Sequence, residues 1–225
     1  MRYENVATAT FVARPNRFIA EVLIHGRAET VHVKNTGRCR ELLLPGAVVS
    51  LALSDNPNRK TRFDLIAVER EGQWINIDSQ APNAVAAEYL RGVYPPPARI
   101  HPEVRQGDSR LDFCVETGAG RTFVEVKGVT LLVGDTALFP DAPTARGTKH
   151  LHTLTACAEN GDGAMALFIV QMKRARRLLP NKDTDPAFAA ALRQAGERGV
   201  ALRAVDCLVT ADSIVADRPV PVEPD

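Results

Sequence analysis

Along the first third of the chain, apolar and polar residues alternate in short runs, the period of two that sends successive side chains to opposite faces of a strand. Such runs fall at 5–13, 17–25, 29–34, 47–54, 63–69 and 73–77. Gly26, Asp55-Asn56 and Glu71-Gly72 separate them as turns. Five or six short strands at this spacing predict a small barrel, with residues 57–60 as a loop at its mouth. Residues 38–44 are the exception and are expected to be helical.

Beyond residue 80 the pattern changes. Asn83 is expected to cap a helix that runs to about Arg91 and is stopped by Gly92 and the Pro95-Pro96-Pro97 block. Strands follow at 104–106, 110–116 and 122–129, the last two joined by a Gly118-Ala119-Gly120 turn, and then a loop. A helix at 148–159 precedes the unbroken apolar run 164–171, which suits a central strand covered on both faces. Phe188, Ala191, Leu192 and Ala195 form the inward stripe of a helix at 186–197, and Gly199 closes it before a strand at 200–207. The division expected is a barrel at 1–80, an α/β unit at 81–210 and, because of Pro219, Pro221 and Pro224, a loosely attached tail at 211–225.

The chemistry lies in the middle strands. Asp112 stands in Ser-Arg-Leu-Asp-Phe, and thirteen positions later comes Glu125-Val126-Lys127. Glu125 and Lys127 share a strand face, about 7 Å apart. Strict alternation puts Asp112 with Arg110 and Cys114, opposite Leu111, Phe113 and Val115, so a hairpin with its apolar faces inward brings Asp112 beside Glu125. Two carboxylate oxygens suit Mg²⁺ or Mn²⁺, which retain waters and complete their shell with phosphate. A neighbouring lysine orients or deprotonates the attacking water in metal-assisted phosphodiester hydrolysis. Asp-x(n)-Glu-x-Lys is the pattern of the PD-(D/E)xK nuclease fold, and the element order after residue 80 agrees with it. A cross-strand surface salt bridge has the same spacing, so spacing alone leaves both readings open.

Longer motifs occur in series: Asn35-Thr36-Gly37, Pro45-Gly46, Asn56-Pro57-Asn58-Arg59-Lys60-Thr61, Pro82-Asn83, Ser109 to Phe113, Val124 to Thr130 and Phe139 to Leu151. This series resembles the sugar fermentation stimulation protein A family from about Phe11 to about Gly199. The resemblance implies an OB-like β-barrel followed by a PD-(D/E)xK nuclease-like α/β domain with a mixed central sheet. It also implies DNA binding and a part in regulating sugar metabolism. Glu103 matches the family's Glu-Val pair and is a candidate third metal ligand beside Asp112 and Glu125, its alternative being an exposed acid at a strand end.

Phosphate contacts are expected at the start of the helix after the Glu-x-Lys strand, from Arg146, Lys149 and His150, where the helix N-terminus adds partial positive charge. Asp141 and Arg146 can instead brace the loop as an ion pair, and His150 can orient water or cap the helix. His150 and His152 face apart, which argues against a two-histidine metal site. In the barrel, Arg14, Arg17, Lys34, Arg38, Arg59, Lys60 and Arg62 are the candidate contacts to DNA, with Arg40 nearby. Residues 1–80 carry eleven Lys or Arg against nine Asp or Glu, and the whole chain has a net charge of only +1, so DNA binding depends on local clustering. Phe11, Phe18, Phe63 and Trp74 are expected to pack the barrel, which favours weakly sequence-specific backbone contacts over base stacking.

Four scattered cysteines without a Cys-x-x-Cys pair argue against zinc and against a disulfide framework. No apolar run approaches membrane-spanning length and the first fifteen residues lack an apolar signal core, so the expected location is the cytoplasm, away from membranes. Two functions remain in view. One is a metal-dependent nuclease; the other is a non-catalytic DNA-binding regulator that keeps the nuclease fold.

Overall fold

Strand β1 (Val6–Asn16) pairs antiparallel with both β2 (Ile19–Ile24) and β4 (Val48–Leu53), while β2 pairs with β3 (Arg27–Val33) and β4 with β5 (Phe63–Arg70). A short parallel contact of β3 with β5, His32 with Asp64 and Val33 with Leu65, closes these five strands into an OB barrel, and β6 (Gln73–Asn76) extends β5. The computed structural model describes residues 1–35, 37, 39–56 and 58–224. Inward-facing Ala9, Phe11, Ala20, Val22, Val31, Val49, Leu51 and Leu65 fill the barrel. Their alternation with exposed neighbours is the period read from the chain. The expected helix at 38–44 is only one turn, in which the amides of Leu42 and Leu43 donate to Cys39 O. A segment this short before Pro45 gains too few bonds to offset helix nucleation.

The second unit carries a mixed six-stranded sheet in the order β15-β14-β12-β9-β8-β7. Its strands are β7 (Arg99–Gln106), β8 (Ser109–Thr117), β9 (Gly120–Val129), β12 (Gly163–Val170), β14 (Ala201–Val209) and β15 (Ile214–Val220). Central β12 runs parallel to β9 and β14 and is buried from Ala164 to Val170, as its continuous apolar sequence demands. Helix α1 (Ala81–Val93) covers one face, over Val124, Val126, Leu167 and Ile169. Helices α2 (Ala145–Glu159) and α3 (Pro186–Glu197) cover the other, over Phe123, Val129, Phe168 and Val170.

Three expectations change here. The N-cap of α1 is Gln80, and Asn83 lies inside the first turn, because Pro82 fits the first turn where its missing N–H is not needed. The loop after β9 contains β10 (Leu131–Val133) and β11 (Thr136–Phe139), which form a second small sheet with β13 (Arg177–Pro180). Strands of three or four residues are too short to show a period. The tail is not loose: β15 forms the sheet edge against β14, burying Ile214 and Val220. Pro219 is tolerated because an edge strand leaves one row of N–H groups unpaired.

The barrel and the sheet share one continuous core. Gln171, at the end of β12, joins them: its amide donates to Val129 O (2.9 Å), its carbonyl accepts from Asn76 N (3.0 Å), and its Nε2 donates to Asn76 Oδ1 (2.8 Å) and Asp78 O (3.1 Å). At the far side Tyr3 N donates to Asp212 O, and Ser50 Oγ to Ala211 O. All four cysteines are buried, and burial pushes the Cys39 and Cys207 thiols up to about 12, so they are inert packing groups.

Asp64 sits at the closing seam of the barrel and is 5% exposed. Burial pushes its pKa up, but hydrogen bonds from Arg59 and His32 and the charge of Lys34 outweigh that and hold it at about 2, below the ordinary 3.8. A folded-state pKa below the unfolded one stabilises the protein above the unfolded value, and the gain is lost as pH falls toward the folded value. Wild type is therefore expected to lose about 2 kcal/mol relative to Asp64→Asn between about pH 4 and about pH 2, measured as denaturant midpoints across that range.

Candidate metal and nuclease site

The β8–β9 ladder runs from Thr117 opposite Gly120 to Phe113 opposite Val124 and then stops. Beyond it the two strands part. The amide of Val126, which would otherwise continue the ladder, donates to Asp112 Oδ2 at 2.7 Å. Asp112 Oδ1 accepts from Asn83 Nδ2 at 2.9 Å, so the third residue of α1 orients this carboxylate. Strict alternation fails here: Leu111 joins the core beneath α2 and Phe113 the core beneath α1. Glu103, which lies between the partners of Leu111 and Phe113 on β7, has φ of +54°, a conformation uncommon for a residue with a side chain. Asp112 thus lies opposite Glu103 at an irregular point of β8, in the gap where β8 leaves β9.

Glu125 and Lys127 project from β9 toward α2, on the same side as Phe123 and Val129. Lys127 Nζ and His150 Nδ1 both reach Glu125 Oε1, and the carboxylate is only 4% exposed. The other oxygen, Oε2, is fully buried and has no hydrogen-bond partner among the described residues. An ionised oxygen left unpaired in the interior is costly. A hard cation would remove that cost, and if Asp112, whose Oδ2 accepts from the amide of the next residue on β9, supplied a second carboxylate, the donor set would be the chemistry Mg²⁺ or Mn²⁺ takes. Among the described residues no group of three His, Cys, Asp or Glu converges as a ligand set, so such an ion would need water or phosphate oxygens to fill its shell.

The remaining candidates are distributed unevenly. Glu103 lies on the sheet's edge strand, 3.7 Å from Arg110, with both side chains about two-thirds exposed. His150 is buried on the inner stripe of α2, with Gly147, Leu151, Leu154 and Cys157. Lys149 donates to Asp108 O, and Arg146 is exposed at the first turn of α2. Among the described residues Asp141 and Arg146 form no ion pair. Thr144 caps α2 instead, accepting from Gly147 N. In the barrel, Arg14 donates to Gly37 O and Asn35 O and so braces the loop after β3, while Lys34 and Arg59 are held by Asp64. Arg17, Lys60 and Arg62 are exposed and have no carboxylate partner among the described residues, and Arg38 lies outside them. Farther off, Lys173, Arg174, Arg176 and Arg177 each pair with an acid.

Two close approaches set the site in place. A side chain at Gly37 would collide with the Asp141 carboxylate, so the barrel's β3 loop lies directly against the loop leading to α2. A Cβ at Gly128, next to Lys127, would lie 2.6 Å from both Gln171 Oε1 and Pro82 Cγ. The strand carrying Glu125 and Lys127 is thereby wedged between α1 and the domain-joining glutamine.

The family model for the sugar fermentation stimulation protein RE domain matches residues 80–213, and that for the SfsA N-terminal OB domain matches 12–77. The chain belongs to the sugar fermentation stimulation protein (SfsA) family. The sugar fermentation stimulation protein homolog of Desulfitobacterium hafniense (strain Y51) is 50% identical over 217 residues, covering 96% of this chain and 95% of that one. The homolog of Ruminiclostridium cellulolyticum is 45% identical over 224 residues, with 99% of each chain covered. Pyrococcus furiosus SfsA, solved in complex with Ca²⁺, superposes with a TM-score of 0.87 at 32% identity, covering 99% of this SfsA chain and 98% of that one. No helix among the described residues is long and apolar enough to cross a membrane.

Two contacts of the site were not foreseen from the sequence of this SfsA protein. Asn83 reads as a helix cap in the sequence, and its reach to Asp112 follows only from its place in the first turn of α1. The signal for His150 was present: it falls on the i, i+3, i+4 apolar stripe of α2, which must face the sheet.

Gly128→Ala is expected to cost about 1–3 kcal/mol, because Gln171 is held by several hydrogen bonds and Pro82 lies in a helix, so neither can yield. The loss is to be read as a lowered thermal midpoint.

Proposed function

We propose that this SfsA protein is a Mg²⁺- or Mn²⁺-dependent phosphodiesterase acting on DNA in the cytoplasm, with Asp112, Glu125 and Lys127 as its catalytic residues. The observation that carries this reading is the buried Glu125 carboxylate, with one oxygen held by Lys127 and His150 and the other without a partner. The Ca²⁺ complex of the Pyrococcus furiosus relative supports a divalent cation in the family.

Asp112 and Glu125 would hold the ion, which when bound supplies a polarised phosphoryl oxygen and a more acidic water. Asn83 and the Val126 amide keep Asp112 from turning away. Lys127 is only 12% exposed and donates to Glu125 Oε1, so its ammonium stands ready to hold the attacking water and to balance charge on the phosphate. Arg146, Lys149 and the α2 N-terminus would receive the phosphate backbone, Lys149 leaving its bond to Asp108 O. Glu103 is a lesser candidate, since its reach to the ion would require it to leave Arg110. Contacts of this kind neutralise phosphates without reading bases, which predicts weak sequence specificity.

A second reading is supported by the closed Glu125–Lys127–His150 group, which also serves as a neutralised internal cluster in a DNA-binding regulator without catalysis. Cleavage of single- and double-stranded DNA with Mg²⁺ or Mn²⁺ separates the two. Wild type is expected to cut and to stop in EDTA. Lys127→Ala is expected to slow cutting about 10²- to 10⁴-fold, and Glu125→Ala to abolish it, with DNA binding retained in both. Absence of cleavage by wild type in either metal would leave the regulator.

A further inference from the structure

The barrel was expected to bury its aromatic residues, and Phe11 obeys at 2% exposed. Phe18 does not. It lies at the start of β2, 45% exposed, with the Arg17 guanidinium 4.7 Å from its ring centroid. A second arginine–phenylalanine pair stands at the start of β5, where Arg62 lies 5.4 Å over Phe63, a half-buried ring at the barrel's end that packs partly on the core. The sheet register brings the two pairs to one end of the barrel. Val33 N donates to Phe18 O at 2.8 Å, and Val33 pairs with Leu65, two residues beyond Phe63. One strand, β3, therefore separates the two ring–guanidinium pairs.

The charges at this end are sorted. Of the basic residues around it, Arg14, Lys34 and Arg59 are bound to backbone carbonyls or to Asp64. Arg17, Lys60 and Arg62 have no carboxylate partner among the described residues, and the β4–β5 loop offers only Asp55 as an unpaired acid. An exposed ring without charge around it needs no explanation. Two rings, each topped by a guanidinium and flanked by unneutralised cations, match what an unpaired nucleic acid strand presents: flat π faces joined by phosphates. Stacked base pairs in a duplex do not offer those faces.

We infer that this end of the barrel is a stacking platform for single-stranded DNA, with bases on Phe18–Arg17 and Phe63–Arg62 and phosphates on Lys60 and the free guanidinium edges. The platform supplies the substrate class for the function proposed above and rests on its DNA-binding part, not on cleavage. The same barrel end continues through Lys34 and Asn35 to Gly37, which lies against Asp141 in the loop that leads to α2.

The test is fluorescence anisotropy of the full chain in EDTA, with a labelled single strand of about 16 nucleotides and the matching duplex, over a range of salt. Wild type is expected to favour the single strand. Phe18→Ala and Phe18→Leu are both expected to weaken single-strand binding about 5- to 100-fold and to leave duplex binding and the melting temperature unchanged. Lys60→Ala is expected to reduce the salt slope for the single strand by about 0.7. Unaltered single-strand affinity in both Phe18 variants, or a wild-type preference for duplex, overturns the platform. Failure of wild type to bind either form overturns it together with the DNA-binding reading. Phe18-dependent binding without cleavage in any metal upholds the platform and removes only the enzyme.

Discussion

A carboxylate buried as deeply as Glu125 imposes conditions on everything around it. Removing an ionised group from water costs several kcal/mol unless charge and hydrogen bonds replace the lost hydration. Here the replacement comes from two elements at once: Lys127, two residues along β9, and His150, from the inner stripe of α2. Both act on one oxygen and leave the other open. The packing of α2 on the sheet and the chemistry of the site are therefore one arrangement. Separating the helix from the strand would strand the charge.

The same strand is constrained from its opposite face. Gly128 permits Pro82 and Gln171 to approach where any side chain would intervene, and Gln171 in turn ties β12 to the end of the barrel. The Asn83 contact fixes Asp112 through the first turn of α1, the helix that follows the barrel directly. Orientation of both carboxylates thus runs through the junction of the two units, which accounts physically for a barrel and an α/β unit that share a core instead of meeting across a linker.

What the sequence disclosed follows from how local its causes are. Barrel strands were legible because alternation such as that of Ala20, Val22 and their exposed neighbours is a local property. Glu125 and Lys127 were legible for the same reason. Asp112 was expected beside them through a regular hairpin, whereas the β8–β9 pairing ends at Phe113 and Asp112 bonds the Val126 amide and Asn83, a feature that depends on contacts with α1 and β7. The three-stranded sheet of β10, β11 and β13 depends on the parallel pairing of residues about forty positions apart, which leaves no periodic trace. The charge of Lys34 and Arg59 is visible in the sequence, but their engagement by Asp64 is not, since it requires the barrel to close first.

That closure rests on two residue pairs between β3 and β5. Were they undone, the five strands would become an open ribbon whose β3 side displays a row of unanswered backbone donors and acceptors. Such a border recruits strands from other copies of the chain. The ionic cluster at Asp64 can thus be read as a guard against self-association: it keeps a sheet curled on itself that, laid flat, would template its own aggregation.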